Sequence, residues 1–194
     1  MPSTLRLFAA LIPPAAAVEH LDAFLEPRRD ADPDLRWAGP EQWHLTLAFA
    51  PDVPEYLLDD VTQRLASAAQ RRRLGPLAVA GGGAFPDPDR ARVLWAALAH
   101  DVPSEQDELT ALARGARTAF ATAGADVDGQ RFRAHLTLAR LRRPANVTRW
   151  VRVLESYAGP GWTPATVSLV ASYLGQGPRR APRYEIVAAC PLGQ

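Results

Sequence analysis

The sequence has few of the side chains that mark disulfide-linked, metal-binding or membrane proteins. It contains one cysteine, Cys190, among 194 residues, so no disulfide can form within the chain. Cys190 ends the apolar run from Ile186, which favours a buried thiol over a nucleophile. No stretch approaches the roughly 18 apolar residues of a membrane span, and the start at Met1 lacks the pattern of a signal peptide. We therefore expect a cytoplasmic protein with no membrane segment.

Lysine is absent, and all 22 basic side chains are arginine. So uniform a bias indicates the composition of the genome rather than selection for phosphate binding at particular positions. Against 21 acidic side chains the formal net charge is only +1. This balance excludes the strongly basic character of non-specific nucleic-acid binders, so any anion site must be local.

Candidate metal ligands are also scarce. The chain has four histidines, and no close pair of histidine or cysteine residues occurs in the sequence. A catalytic zinc site would need three protein ligands. We therefore predict no metal and no cofactor. His20 lies in the first predicted helix and His100 at a predicted strand end, and we interpret both as surface histidines.

Hydrophobic periodicity predicts a mixed chain of strands and helices. With 47% hydrophobic residues, the chain can bury a sizeable core as one domain. Ser104 is the predicted N-cap of the longest helix. The glycines at 81–83 are expected to end a strand, and the loops at 81–92 and 140–148 to border any cleft. The predicted strands are 5–11, 43–49, 77–80, 93–98, 132–139, 166–174 and 184–189, and the predicted helices are 15–25, one after the turn at 51–54, 104–122 and 147–157.

The second half of this order approximately repeats the first, which indicates a duplication. The motif His-Leu-Thr-Leu-Ala occurs twice, once from His44 and once from His135. Side chains alternate across a strand, so the histidine and threonine of each motif point to one face and the leucines to the other. We expect the leucines to be buried under helices. His44 with Thr46, and His135 with Thr137, would then face one cleft if the lobes are related by a pseudo-twofold axis.

Two histidines and two threonines suit the opening of a 2′,3′-cyclic phosphate. This reaction needs a base for the attacking water and an acid for the departing ribose oxygen, and imidazole titrates near neutral pH. Threonine hydroxyls can donate hydrogen bonds to the phosphate oxygens. A single histidine on a strand is more often structural, but its duplication favours catalysis. The two motifs are identical, so either histidine could be the acid.

The sequence resembles the two-histidine (2H) phosphoesterase superfamily. Within it, the chain is similar to the RNA 2′,3′-cyclic phosphodiesterases once described as bacterial 2′-5′ RNA ligases. Besides the two His-x-Thr-x motifs, the resemblance rests on the opening segment 6–11 with prolines after it, Arg36-Trp37 ahead of Trp43-His44, the segment 93–95, and Arg131-Phe132 ahead of His135.

This resemblance implies an α+β fold. Two interleaved, pseudo-symmetric lobes of antiparallel-rich sheet, with helices outside, would enclose a central V-shaped cleft in a single domain of residues 1–194. It implies that His44 is the proton donor to the leaving oxygen. His135 would be the proton acceptor that activates water, and the product would be a 2′-phosphomonoester.

The resemblance also implies further site residues, and for one of them, Arg140, strand alternation gives a different position. Relatives carry an arginine where Arg140 closes the second motif, and its planar group could hold a phosphate oxygen. Simple alternation from His135 instead places Arg140 on the leucine face, unless the strand bends, and a surface arginine is the alternative. The segment 50–52 and Ala134 depart from the family pattern and leave substrate preference open. Candidates for stacking on a base, with core burial as the alternative, are Phe8, Phe49, Trp37 and Phe132.

The leading hypothesis is hydrolysis of RNA or nucleoside 2′,3′-cyclic phosphates by a metal-independent monomer. Its expected partners are RNA ends or nucleoside cyclic phosphates. One alternative keeps the site but joins RNA ends through a 2′-5′ linkage, although water favours hydrolysis by mass action. Another is a non-catalytic RNA- or phosphate-binding module. Binding that survives replacement of both histidines would favour the module, and lost turnover with a retained fold would favour the enzyme.

Overall fold

A computed structural model describes residues 3–100, 102–129 and 131–193. Over these residues eight strands form one antiparallel sheet, which is accompanied by four α-helices. The strands are β1 (Thr4–Leu11), β2 (Leu35–Trp37), β3 (Leu45–Pro54), β4 (Leu77–Phe85), β5 (Ala91–His100), β6 (His135–Ala145), β7 (Thr166–Tyr173) and β8 (Arg183–Pro191). The helices are α1 (Ala15–Leu25), α2 (Leu58–Gln70), α3 (Pro103–Thr122) and α4 (Thr148–Glu155).

The strand order is β4-β5-β6-β3-β1-β7-β8, with β2 paired to β6. The two motif-bearing strands, β3 and β6, are neighbours near the middle. Six of these strands are arranged symmetrically about the middle of the sheet. β6, β5 and β4 follow one another outward on one side, and β3, β1 and β7 occupy the corresponding positions on the other. The registered pair between the two motif strands is Leu45 with Leu136. The two halves of the sheet are therefore joined at the motifs themselves.

The four helices are divided between the two halves of the sheet. Helices α2 and α3 pack against strands of the β3-β1-β7-β8 half, whereas α1 and α4 pack against β4 of the other half. Each half is thus covered by one helix from the first part of the chain and one from the second. This correspondence supports the proposal that residues 1–194 are one domain of two interleaved, related lobes.

The spacing of apolar residues in helix α3 explains how this helix packs. Leu109, Leu112, Ala116 and Phe120 recur at helical spacing, and all four are fully buried. The helix packs against α2 and β3. It begins at Pro103 rather than after a Ser104 cap, because proline has a backbone angle that suits the first helical position.

The glycines at 81–83 do not end a strand as predicted, because β4 continues through them to Phe85. Gly81 has a positive φ of 72° at the register shift between Val79 and Gly82. A Cβ atom on Gly83 would lie 2.3 Å from the ring of Trp95. The glycines therefore allow a bulge and a close approach within the strand.

Strand β6 is also longer and later than predicted. It runs from His135 to Ala145, so most of the loop expected at 140–148 is strand. The extension is held by β5 on one side, where Ala91 pairs with Ala145, and by β2 on the other, where Leu35 pairs with Leu141. Strand β2, with three residues, is too short to show a periodicity in the sequence.

Two predictions about isolated side chains are confirmed and one is wrong. Cys190 is buried and unpaired, and His20 is exposed, with Nδ1 3.0 Å from the Tyr157 hydroxyl. The side chain of His100 is not at the surface, because it lies under the first turn of α3 with Nδ1 3.9 Å from Glu105 Oε2. None of the helices described is both long enough and apolar enough to cross a bilayer.

We predict that Phe120→Ala lowers the free energy of unfolding by about 3 to 5 kcal/mol, because it leaves a cavity in the fully buried contact of α3 with the sheet. Urea unfolding followed by circular dichroism measures the change. Thr118→Ala, on the exposed face of the same helix, is the control and is expected to change stability by less than about 0.5 kcal/mol. A similar small loss for Phe120→Ala would contradict the assigned packing.

Candidate active site

The paired strands bring the two motifs together with their leucines turned inward. Leu45, Leu47, Leu136 and Leu138 are at most 2% exposed and belong to the core. His44 lies one residue before β3, and His135 is the first residue of β6. Both histidines and both threonines, Thr46 and Thr137, are half-buried. The predicted burial of the leucine face is confirmed.

The two imidazoles make the same backbone contact. Nδ1 of His44 lies 2.7 Å from the carbonyl oxygen of Gln42, and Nδ1 of His135 lies 2.7 Å from that of Arg133. A carbonyl oxygen only accepts hydrogen bonds, so Nδ1 carries a proton in both rings. The proton that each ring can gain or lose is therefore on Nε2. Fixed Nδ1–H groups suit imidazoles that exchange protons through their other nitrogen.

His44 is packed against two aromatic rings from its own half of the sheet. Phe8, on β1, stacks on the imidazole with ring centroids 4.5 Å apart and an interplanar angle of 25°. Tyr184, on β8, meets the imidazole edge-on at 5.3 Å and contacts Phe8 at 5.1 Å. These contacts hold the ring in place and exclude water from its sides.

His135 has an equivalent aromatic surround in the other half. Phe85, on β4, meets its ring edge-on at 5.0 Å, and Trp95, on β5, lies at 6.1 Å. The guanidinium of Arg133 lies 5.7 Å from the Phe85 ring and 5.6 Å from the Trp95 ring. Each histidine is thus flanked by two aromatic rings, but the residues that supply these rings differ between the two histidines.

Burial and neighbouring charge make both imidazoles weak bases. Burial lowers the pKa of His44 from 6.5 to about 4; the bond to the Gln42 carbonyl opposes this shift, and positive charge on His135 and Arg140 adds to it. Burial also lowers the pKa of His135, again opposed by its carbonyl bond and assisted by Arg140 and Arg133. Both rings are therefore neutral at pH 7 in the free protein.

A bulge decides the position of Arg140. Trp95 pairs with Thr137, but the next partner, Leu94, pairs with Ala139, so Leu138 is an extra residue in β6. One extra residue reverses the alternation beyond it. Arg140 consequently points to the histidine face, where its charge lowers the pKa of both imidazoles. Simple alternation, which put Arg140 on the leucine face, is corrected by this bulge.

Strand β3 has the same irregularity at the same place in its motif. Thr46 pairs with Ala10, and Ala48 pairs with Ala9. Phe49, the sequence counterpart of Arg140, is thereby turned to the histidine face and packs near Phe8. The guanidinium of Arg6 lies 4.4 Å from the Phe49 ring. Two of the predicted stacking candidates, Phe8 and Phe49, are therefore beside the first motif.

The other two stacking candidates lie elsewhere. Trp37 packs edge-on against Trp150 of α4 at 5.1 Å, and its Nε1 donates to the carbonyl of Arg29 at 3.3 Å. Phe132 packs against the core and lines a groove beside α3. The structure does not bring Trp37 to the histidines, because β2 directs it to the helix side of the sheet.

Several groups near the histidines were not predicted. Arg6 follows from alternation with Phe8 along β1, a signal that the sequence contains. Tyr184 and Phe85 carry no local signal, since β8 and β4 reach the histidines through sheet pairing. Burial raises the pKa of Tyr184, while the charges of Arg140 and Arg6 oppose that rise.

The side chains of this cluster are of the types that can bind phosphate and transfer protons. It offers two Nε2 atoms, two threonine hydroxyls and guanidinium groups, all of which can bind phosphate oxygens. Throughout residues 3–100, 102–129 and 131–193, no three histidine, cysteine, aspartate or glutamate side chains are grouped to hold a metal ion.

Comparison with known sequences places relatives across most of the chain. The LigT-like phosphoesterase family profile matches residues 12–95 and 101–179, which include both motifs. The RNA 2′,3′-cyclic phosphodiesterase of Aeropyrum pernix is 30% identical over 153 residues, which cover 77% of this chain and 84% of that protein. The Geobacillus stearothermophilus protein of the same name is 27% identical over 82% of this chain. This chain spans about half, 48%, of that relative.

Solved structures show the same fold. Escherichia coli LigT complexed with 3′-AMP superposes with a TM-score of 0.70 at 24% identity, covering 99% of this chain and 100% of that one. TT0787 of Thermus thermophilus gives a TM-score of 0.73 at 26% identity, covering 98% and 100%. The antiparallel sheet with its four helices is therefore the fold of these proteins. Because the family profile matches most of the chain, including both motifs, the chain belongs to the LigT-like phosphoesterase family.

Proposed function

We propose that this protein is a phosphoric diester hydrolase that opens RNA or nucleoside 2′,3′-cyclic phosphates to 2′-phosphomonoesters without a metal. The observation that carries the proposal is the pair of imidazoles on adjoining strands, each fixed by an Nδ1–H bond to a carbonyl two residues earlier. The names of the relatives, RNA 2′,3′-cyclic phosphodiesterase, support the same substrate class.

The proposed reaction is an in-line displacement at phosphorus. Nε2 of His135 takes a proton from water as the water oxygen bonds to phosphorus. The bond from phosphorus to the ribose 3′-oxygen breaks, and Nε2 of His44 gives that oxygen a proton. The 2′-oxygen keeps the phosphate. The division of roles follows the family resemblance, and proton exchange with solvent restores both rings.

The side chains around the histidines have distinct roles in this scheme. Thr46 and Thr137 donate hydrogen bonds to non-bridging phosphate oxygens, and Arg140 binds them with its planar guanidinium. Phe8 and Tyr184 hold the His44 ring in orientation by packing on it. Because the site lies within one chain, we propose that a monomer acts on RNA ends, and that it does so in the cytoplasm.

The negative charge of the substrate favours the protonated form of His44, which the reaction needs as its acid. A pKa of about 4 leaves His44 unprotonated in the free protein at neutral pH. The negative phosphodiester, held in a cleft of low dielectric, stabilises a nearby imidazolium and raises the pKa of both rings. Substrate binding therefore promotes protonation of His44, and this proton is the one that the leaving oxygen receives. A cation at the same place would have the opposite effect, so the site favours anions.

We predict that His44→Ala and His135→Ala each lower kcat on cytidine 2′,3′-cyclic phosphate by about 10²- to 10⁴-fold in EDTA-treated protein, because each removes a proton-transfer group. Chromatographic assay of the 2′-phosphate measures the loss, and circular dichroism checks the fold. His20→Ala, at an exposed histidine, is the matched control and keeps full activity. An inert wild-type protein would count against hydrolysis, and binding that survives both cleft substitutions would then favour an RNA-binding module.

The lowered histidine pKa values predict an acid pH optimum. The active form of the pair carries one proton, so kcat/KM is expected to peak below pH 6.5 and to decline as pH rises towards 8. The limbs of kcat should lie at higher pH than those of kcat/KM, because the bound phosphate raises the pKa of both imidazoles. Initial rates from pH 4 to 9 measure both profiles. A flat profile between pH 5 and 8 would contradict two-imidazole catalysis.

A further inference from the structure

A groove of about 640 Å³ lies between α3 and the segment that leads into β6. Its lining contains four arginines, Arg114, Arg117, Arg131 and Arg133, together with the ring of Phe132. No acidic side chain is among the described residues that line it. In a chain of net charge +1, this is a local concentration of positive charge.

Helix α3 presents one polar face to this groove. Gln106, Thr110, Arg114 and Arg117 follow one another by four, four and three residues, so they lie on one side of the helix. The opposite side, which includes Phe120, is buried in the core. The groove wall is therefore a rigid element fixed from behind by packing.

Arg133 connects this groove to the candidate active site. Arg133 lines it and also lies over the Phe85 and Trp95 rings that surround His135. The backbone carbonyl of Arg133 accepts the Nδ1–H bond of His135. Arg131 is four residues before His135, a distance of at most about 14 Å in extended chain. A strand leaving the cleft at His135 would reach the arginines within its first few nucleotides.

Three of the four groove arginines are accessible to a ligand. Arg114, Arg131 and Arg133 are exposed, and no described carboxylate forms an ion pair with any of them. In contrast, Arg64 is paired with Asp60 in α2. Arginines interleaved with an aromatic ring are the pattern that tracks a single nucleic-acid strand, through phosphate contacts and base stacking.

We infer that this groove binds the RNA strand that carries the cyclic phosphate, with its arginines on backbone phosphates 5′ to the terminal nucleotide and Phe132 against a base. The inference rests on the proposed function, because its occupant is the body of that substrate. It makes oligoribonucleotide ends, rather than free nucleoside cyclic phosphates, the preferred substrates. The site for the terminal phosphate stays between the histidines.

Salt dependence separates the two substrate classes. Each phosphate neutralised on a single strand contributes about 0.7 to the slope of log affinity against log salt. An oligoribonucleotide that reaches two or three groove arginines should therefore lose affinity steeply as salt rises. A mononucleotide cyclic phosphate, which ends before the groove, should show only the shallow dependence of its single phosphate.

The test compares kcat/KM for cytidine 2′,3′-cyclic phosphate with that for a pentaribonucleotide ending in the same group. The groove variant is Arg114→Gln/Arg131→Gln. The control, Arg149→Gln/Arg152→Gln, removes the same charge from exposed positions on α4. We expect the groove variant to lose about tenfold on the pentanucleotide alone, and its salt slope to fall by about 0.7 for each arginine. The control should match wild type on both substrates.

Failure of the groove and failure of the proposed function give different results. Turnover of both substrates with equal pentanucleotide rates in the groove variant and the control would overturn the groove inference and leave the proposed function in place. If neither substrate is turned over, the proposed function fails. Fluorescence anisotropy with the labelled pentanucleotide then decides the groove: weaker binding by the groove variant than by the control supports it, and equal binding overturns it.

Discussion

The antiparallel pairing of Leu45 with Leu136 is the contact on which the candidate site depends. Both leucines are 1% exposed, and a histidine immediately precedes each of them. Burial of the leucines therefore fixes where both imidazoles lie, on the other face of the sheet. A slip of one residue in either strand would bury a histidine and expose two leucines. Packing of the hydrophobic core thus determines the positions of the two imidazoles.

The duplicated strands also share a bulge that introduces the asymmetry of the site. In each strand the bulge follows the threonine and turns the residue five positions after the histidine towards the cleft. That residue is Phe49 in one strand and Arg140 in the other. Equivalent backbones therefore present an aromatic ring on one side and a cation on the other. The cation lowers the pKa of both imidazoles, so an anionic substrate is needed to charge the pair.

The sequence was sufficient to predict the parts of the fold that repeat or have a clear period. The motif faces, the order of the main strands and helices, and the buried face of α3 follow from local patterns. Strand β2, the continuation of β4 through Gly81 and the far end of β6 do not, because pairing with distant strands decides them. The burial of His100 depends on the packing of α3 over a strand end. Tyr184 reaches His44 only through the long-range pairing of β8 with β7, which leaves no local signal.

The most direct test of the account is the tautomer and ligand response of the histidines, measured by nitrogen-15 NMR on histidine-labelled protein. The account predicts that neutral His44 and His135 carry their proton on Nδ1, and that a nucleoside 2′-phosphate shifts the Nε2 signals of both. His20, exposed and outside the cleft, should not respond. An Nε2-protonated neutral ring at either position, or a ligand that shifts only one of the two, would contradict a shared phosphate held between two imidazoles.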